Sequence, residues 1–174
     1  MSLDENSFSI FLDTIKKFVD NKLIPREEEV AETNSIPEDI VEEMKNIGLF
    51  GISIPTEYGG SNLSMEQEVK LTFELGRASP AFRSMAGTNI GIGSQTIVMS
   101  GTDEQKQKYL PKFSTGEIIG SFALTEPDSG SDAMSITTSA KKVGNEYLIN
   151  GTKRYITNAP IAVSYTHLTL PTKA

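Results

Sequence analysis

The hydrophobic period changes once along this chain, near residue 116, and that change limits the folds open to it. Before Gly116 apolar residues recur every three or four positions; after Ile118 they alternate or cluster with β-branched neighbours. A period near 3.6 buries one face of a helix and a period of two buries one face of a strand, so each half favours a different element. A run of helices followed by a run of strands predicts an α+β chain. An all-helical bundle domain is expected over 1–116, and the first part of an antiparallel β-barrel or sandwich domain over 117–162.

Within the helical half, Phe8, Phe11, Leu12, Ile15, Phe18, Val19 and Leu23 fall on one helical face, and Pro25 is expected to stop that helix. Ser35 with Glu38 reads as a capping box for a second helix that carries Ile40, Val41, Met44 and Ile47 and closes at Gly48. Residues 49–62 hold too much Gly and Pro for a helix and read as a loop. Ser64 and Gln67 form another capping pattern, followed by Met65, Val69, Phe73 and Leu75 as the apolar positions. From Ala81 to Ser100 the sequence is rich in Ala, Gly and Ser. Glycine in a helix costs about 1 kcal/mol relative to alanine, so such a segment makes sense where a backbone or a flat ligand approaches closely. Thr102 opens a further helix, with acids in its first turn and lysines later, as the helix dipole favours.

In the second half, strands are expected over 118–125, 136–143, 146–149 and 152–157. Asn150-Gly151 is the hairpin signal, and Gly144-Asn145 is a second candidate turn.

Composition removes several functions. Without cysteine there is no disulfide, thiolate metal site or cysteine nucleophile, and a single histidine cannot build a multi-His site. Sixteen basic against 23 acidic residues argue against nucleic acid or an anionic membrane as partner, because both require clustered Lys and Arg. No stretch approaches the ~20 apolar residues that span a bilayer. The acidic opening Met1-Ser-Leu-Asp-Glu-Asn carries no basic stretch followed by an apolar one, which makes a cytoplasmic location the expectation.

Two segments could carry chemistry. In SFALTEPDSGSD, residues 121–132, a strand delivers Thr125 and a turn of small residues follows. Its amides and the Ser129 and Ser131 hydroxyls could form an anion-binding concavity; by composition alone it is an Asp/Ser/Gly surface turn. It lacks the lysine of a phosphate-binding P-loop, and Asp128 and Asp132 lack the ordered ligand series of a calcium loop. In NGTKRYITN, residues 150–158, Tyr155 and Thr157 on one strand would share a face, or the segment is a plain hairpin strand.

FALTEPDSGSD, NEYLINGTKRYITN, GLFGISIPTEYGG and GTDEQKQKYLPKFSTGE, in this order and spacing, resemble the acyl-CoA dehydrogenase family of flavoproteins over roughly residues 5–162. The resemblance implies FAD as cofactor. Phe122, Ala123, Leu124 and Thr125 would lie along the isoalloxazine, Ser131 would contact the pyrophosphate and lie near the phosphopantetheine of the substrate, and Tyr155, Ile156 and Thr157 would face the ring. Tyr155 stands where the family usually has tryptophan, and Asp128 where glycine is more usual. A carboxylate beside a pyrophosphate is repulsive unless it points to solvent.

The implied reaction is α,β-dehydrogenation of an acyl-CoA thioester to a 2-enoyl-CoA, with electrons passed to an electron-transfer flavoprotein and full-length relatives forming homotetramers. The catalytic base implied is a glutamate of a C-terminal helical domain, which this sequence does not contain, so no catalytic residue is assigned. Glu126 reads as structural. This chain alone is expected to bind FAD weakly and show no turnover. Alternatives are a flavin-dependent monooxygenase or nitroalkane-oxidase-like enzyme on the same fold, or a non-catalytic interaction domain. Phe73, Met85, Ala86, Asn89, Ile90 and Gly93 fall where the resemblance would put an acyl pocket, but their helical spacing reads first as bundle core. Residues 163–174 break the pattern and are expected to be a frameshifted or otherwise non-native tail; His167 within them has no partner ligands for a metal or a triad.

Overall fold

The computed structural model describes residues 3–162 and the backbone of 164–166. Seven α-helices come first among the described residues: α1 Glu5–Phe18, α2 Glu27–Thr33, α3 Glu38–Ile47, α4 Met65–Leu75, α5 Pro80–Gly87, α6 Gln95–Ser100 and α7 Asp103–Thr115. Short strands follow: β1 Gly120–Phe122, β2 Ser139–Val143, β3 Glu146–Asn150 and β4 Ser164–Thr166. β2 and β3 form an antiparallel hairpin, with Val143 opposite Glu146, while β4 runs parallel to β1. A helical domain followed by a partial β-domain is the α+β arrangement that the period change predicts.

Ile15, Leu23, Ile40, Met44, Phe50, Leu71 and Phe82 are almost wholly buried in the main core, and Ile54, Leu110, Phe113 and Ile118 form a smaller cluster under α7. The loop 49–62 belongs to this interior. Leu49, Phe50, Ile52 and Ile54 are buried, and Ser61 and Leu63 donate their amides back to Gly51 and Ile52.

Several helix ends differ from expectation. Pro25 does not stop the chain's helical course: α1 passes through a π turn, Val19–Leu23, and a 3-10 turn, Ile24–Arg26, directly into α2. Proline is tolerated because it sits at the start of a new turn, where an N–H has no intrahelical acceptor to serve. Ser35 makes no cap. Pro37 occupies the cap position in an extended conformation, so the first turn starts at Glu38 and leaves Ser35 two residues outside. The boxes at Ser64/Gln67 and Thr102/Gln105 are both complete, and Gly48 and Gly116 close α3 and α7 in the left-handed conformation.

α4 is rotated relative to its expected apolar face. Leu71 and Leu75 are buried against the α1 side of the bundle, while Met65, Val69 and Phe73 are exposed, Phe73 by 75%. The side chain of Gln67 fixes this phase, for its Nε2 donates to the Leu3 carbonyl at 2.8 Å while its Oε1 accepts from the Ser64 amide. Phe73 is therefore not bundle core; it lines a surface groove with Met65, Glu68, Val69, Arg77 and Arg83.

The Ala/Gly/Ser-rich segment resolves into α5, a π turn over Thr88–Gly93, and α6. β1 crosses that π turn closely. A Cβ on Gly93 would lie 3.4 Å from the Gly120 Cα, and one on Gly120 would lie 2.8 Å from the Phe113 ring. Asn89, fully buried, accepts the Gly120 amide at 2.7 Å through Oδ1 and donates through Nδ2 to the Phe113 carbonyl. Ala86, Asn89, Ile90 and Gly93 are thus interior, and Met85, also buried, borders a second groove.

The β half is less regular than its sequence suggests. β1 covers three of the eight residues 118–125, and residues 152–157 form no strand. The hairpin turn is Gly144-Asn145, with Gly144 at φ 63°, and not Asn150-Gly151. Gly151 has another use: a Cβ there would lie 2.2 Å from Thr138 Oγ1 and 2.8 Å from its Cα. Only a residue without a side chain lets Thr138 pack over the backbone at this point. Residues 163 and 167–174, His167 among them, lie outside the described residues.

Candidate functional site

β1 ends at Phe122 and the chain runs on through Ala123, Leu124 and Thr125 to Glu126. Residues 153–157 return alongside it. The two segments do not form a strand ladder; individual bonds join them. The Arg154 amide donates to the Thr125 carbonyl at 2.8 Å, the Lys153 ammonium to the Leu124 carbonyl at 2.9 Å, and the Ser121 hydroxyl to the Thr157 carbonyl at 2.8 Å. Asn158 adds a tie to the helices, donating Nδ2 to the Met85 and Gly120 carbonyls.

Between them lies a cavity of about 240 Å³, lined by Thr88, Ile92, Phe122, Leu124, Thr125, Tyr155, Ile156 and Thr157. Six of the eight expected cofactor residues meet in it. Ala123 is buried behind the wall, and Ser131 sits exposed on the 126–132 turn, away from the lining. Asp128 on the same turn is exposed to solvent, so the repulsion feared for a carboxylate beside an anion does not arise from burial.

Three consecutive residues, 155–157, line the cavity, which the strand alternation expected for Tyr155 and Thr157 does not allow. The cause is Tyr155, at φ 56° in the left-handed region. That conformation costs a non-glycine residue roughly 1–2 kcal/mol and turns the chain so that neighbours share a side. The Tyr155 ring is 84% exposed, with the Arg154 guanidinium 5.1 Å from its centre.

Glu126 follows the lining residue Thr125 without lining the cavity itself. It is only 4% exposed, and both carboxylate oxygens are engaged: Oε2 accepts from the Thr137 amide at 2.6 Å and the Thr137 hydroxyl at 2.8 Å, Oε1 from the Thr138 amide and Lys153, each at 2.9 Å. The nearby Thr138 hydroxyl, then the Lys153 ammonium and the surrounding amides, hold this carboxyl well below the usual carboxylate range. Thr138 Oγ1 is near enough to acidify the group yet is not aligned as a hydrogen bond to any described residue. Lys153 and Asn158 escaped the sequence reading as site residues. The signal available was a lysine two positions before an aromatic, which says nothing until the partner carbonyl is known.

The cavity suits a flat aromatic ligand with a polar edge. Polar and carbon surface line it about equally, and the Leu124 and Thr125 amides and the Thr125 and Thr157 hydroxyls donate to no described residue. No cluster of His, Cys, Asp or Glu able to hold a metal occurs among the described residues, and no described helix is long and apolar enough to cross a membrane.

Comparison with known proteins bears on both halves. The acyl-CoA dehydrogenase N-terminal domain model matches residues 7–117, and the acyl-CoA dehydrogenase middle domain model matches residues 121–174. Mitochondrial isovaleryl-CoA dehydrogenase of Pongo abelii is 38% identical over 151 residues, covering 86% of this chain and 36% of that protein. A glutaryl-CoA dehydrogenase from Mycobacterium smegmatis, solved in complex with FADH2, superposes with a TM-score of 0.83 at 32% identity, over 92% of this chain and 41% of that one. A chain from the structure of the electron transferring flavoprotein of Acidaminococcus fermentans superposes with a TM-score of 0.86 at 33% identity, over 95% of this chain and 43% of that one. The chain therefore spans less than half the length of each of these relatives.

Proposed function

This chain belongs to the acyl-CoA dehydrogenase family, and from that premise we propose that it is the flavin-side portion of an enzyme that converts an acyl-CoA thioester into a 2-enoyl-CoA. The observation that carries the proposal is the cavity in which two segments thirty residues apart converge, Phe122, Leu124 and Thr125 on one wall and Tyr155, Ile156 and Thr157 on the other. Its unpartnered donors, interleaved with the Ile92, Phe122, Leu124 and Ile156 side chains, fit an isoalloxazine ring with a polar edge, and a relative of this fold was solved with FADH2.

When bound, FAD would supply the hydride acceptor for the β-hydrogen. The chain's own residues bind and orient. The Leu124 and Thr125 amides and the Thr125 hydroxyl would donate to the polar edge of the ring, and donors held in place beforehand stabilise negative charge there at no reorganisation cost. Thr157 would present its hydroxyl to the ring, and the exposed Tyr155 side chain would stack on it from the solvent side. Ser131, on the exposed turn, would meet the pyrophosphate and the phosphopantetheine.

Glu126 is not the base that takes the α-proton. It is buried, bound by four donors from Thr137, Thr138 and Lys153, and held too acidic to abstract a proton. The base is proposed to be a glutamate in the part of the enzyme that this chain does not span. An electron-transfer flavoprotein as acceptor and a homotetrameric assembly are proposed on the same footing.

The test is reconstitution. Titration of the purified chain with FAD should give weak binding, seen as flavin fluorescence quenching, and no acyl-CoA oxidation with a dye acceptor. Turnover by the 174-residue chain would place the base within it and sink this assignment. Absence of any flavin binding, in the chain and in the full-length protein, would remove the cofactor reading.

A further inference from the structure

The two cavity walls are joined by a few individual bonds rather than a ladder, so their spacing depends on whichever groups make those bonds. Lys153 is central. Its ammonium, with a side chain only 12% exposed, reaches the Leu124 carbonyl and Glu126 Oε1 at 2.9 Å each. Glu126 in turn is fixed by amides of Thr137 and Thr138, residues ahead of β2. The connection runs from the 137–138 backbone through Glu126 and Lys153 to the carbonyl of a residue that lines the cavity. The next residue, Arg154, bonds Thr125 by its amide, so the ammonium and that amide grip two successive carbonyls of the facing wall.

Resting on the flavin reading above, we propose that Lys153, held in place by Glu126, is a positioning residue that sets the spacing and orientation of the Leu124–Thr125 wall for the ring. It touches neither ring nor substrate. A buried ammonium needs a counter-charge and bonds for its remaining protons, and Glu126 and Leu124 supply both. The pair adds no net charge beside the ring, so its effect is geometric. Loss of the ammonium frees the Leu124 carbonyl and leaves the Arg154 amide as the nearest tie between the walls.

The test has two arms on the purified chain. Without flavin, the Arg154 amide should exchange with solvent at least about tenfold faster in Lys153→Met than in the parent, the scale of a charge-assisted bond. The Met44 and Leu71 amides, in the helical core, should keep their rates. Lys153→Arg, which retains a donor, should restore most of the protection. With FAD added, affinity should fall at least about tenfold in Lys153→Met and recover in Lys153→Arg. Unchanged Arg154 exchange in Lys153→Met overturns the clamp, as does a loss of protection spread equally over Met44 and Leu71. If neither the parent chain nor the full-length protein quenches flavin, the cofactor reading falls while the exchange arm still decides the clamp.

Discussion

At the scale of single residues, Gly151 and Thr138 show how little room the site has. Gly151→Ala places a Cβ within 2.8 Å of the Thr138 backbone, so the chain itself must shift. A loss of about 1–3 kcal/mol in urea unfolding is expected, the scale of overpacking. Gly144→Ala meets nothing within 4 Å and carries only the cost of its positive φ, about 1 kcal/mol. Glu126 gives a pH prediction. Its carboxyl is more acidic folded than unfolded, so its contribution is complete above pH about 4.5 and is lost as pH falls below that toward the depressed folded value. Acid unfolding of Glu126→Gln, followed by circular dichroism, should be less steep below pH about 4.5 than that of the parent; an identical acid limb would show that the carboxylate is not the titrating group. Thr125, Tyr155 and Thr157 stood out as candidates through the family resemblance of the motifs around them, since the residue pattern alone reads as a turn and a hairpin strand. Lys153 was invisible, since its partners are a backbone carbonyl and an acid 27 residues away.

At the scale of elements, the capping signals divide by what precedes them. Ser64→Ala and Thr102→Ala should each cost about 1 kcal/mol, because each removes a side-chain acceptor from a first turn. Ser35→Ala should change stability by less than about 0.5 kcal/mol, as α3 starts beyond it at Pro37. Equal losses at Ser35 and Ser64 would contradict the observed start of α3. The helix α4 makes a parallel point with its faces. Leu71→Ala should cost about 2–5 kcal/mol and Phe73→Ala close to nothing, since one is fully buried and the other exposed. The apolar pattern alone pointed to Met65, Val69, Phe73 and Leu75, of which only Leu75 is buried. The phase was chosen by Gln67 reaching Leu3, a contact 64 residues apart.

At the scale of the whole molecule, the helical bundle and the β segment meet through Asn89, whose amide group links the π turn, α7 and β1. Asn89→Ala leaves the Gly120 amide without its acceptor in a buried place, at a cost of about 1–3 kcal/mol. Amide exchange should show that loss concentrated at β1 and the cavity walls, with α1, α3 and α4 least affected. The β2–β3 hairpin lies at the other extreme. Val143, Tyr147, Leu148 and Ile149 are all at least half exposed, so its amides should exchange far faster than those of the helices, as a two-stranded ribbon without a packed face does.

The sequence by itself determined the order of elements, the helical and β halves and the complete capping boxes. These are local properties: periodicity, caps and turn chemistry act within a few residues, and they are legible wherever the chain is read. The tertiary structure alone decided which face of α4 is buried, where the β hairpin turns, why Gly151 is glycine, and that Tyr155 reverses its backbone so that three neighbours line one cavity. It also joined Lys153 to Leu124 and Glu126. Those features depend on groups brought together from distant positions, and spacing along the chain carries no record of such distances until packing and buried hydrogen bonds have fixed them.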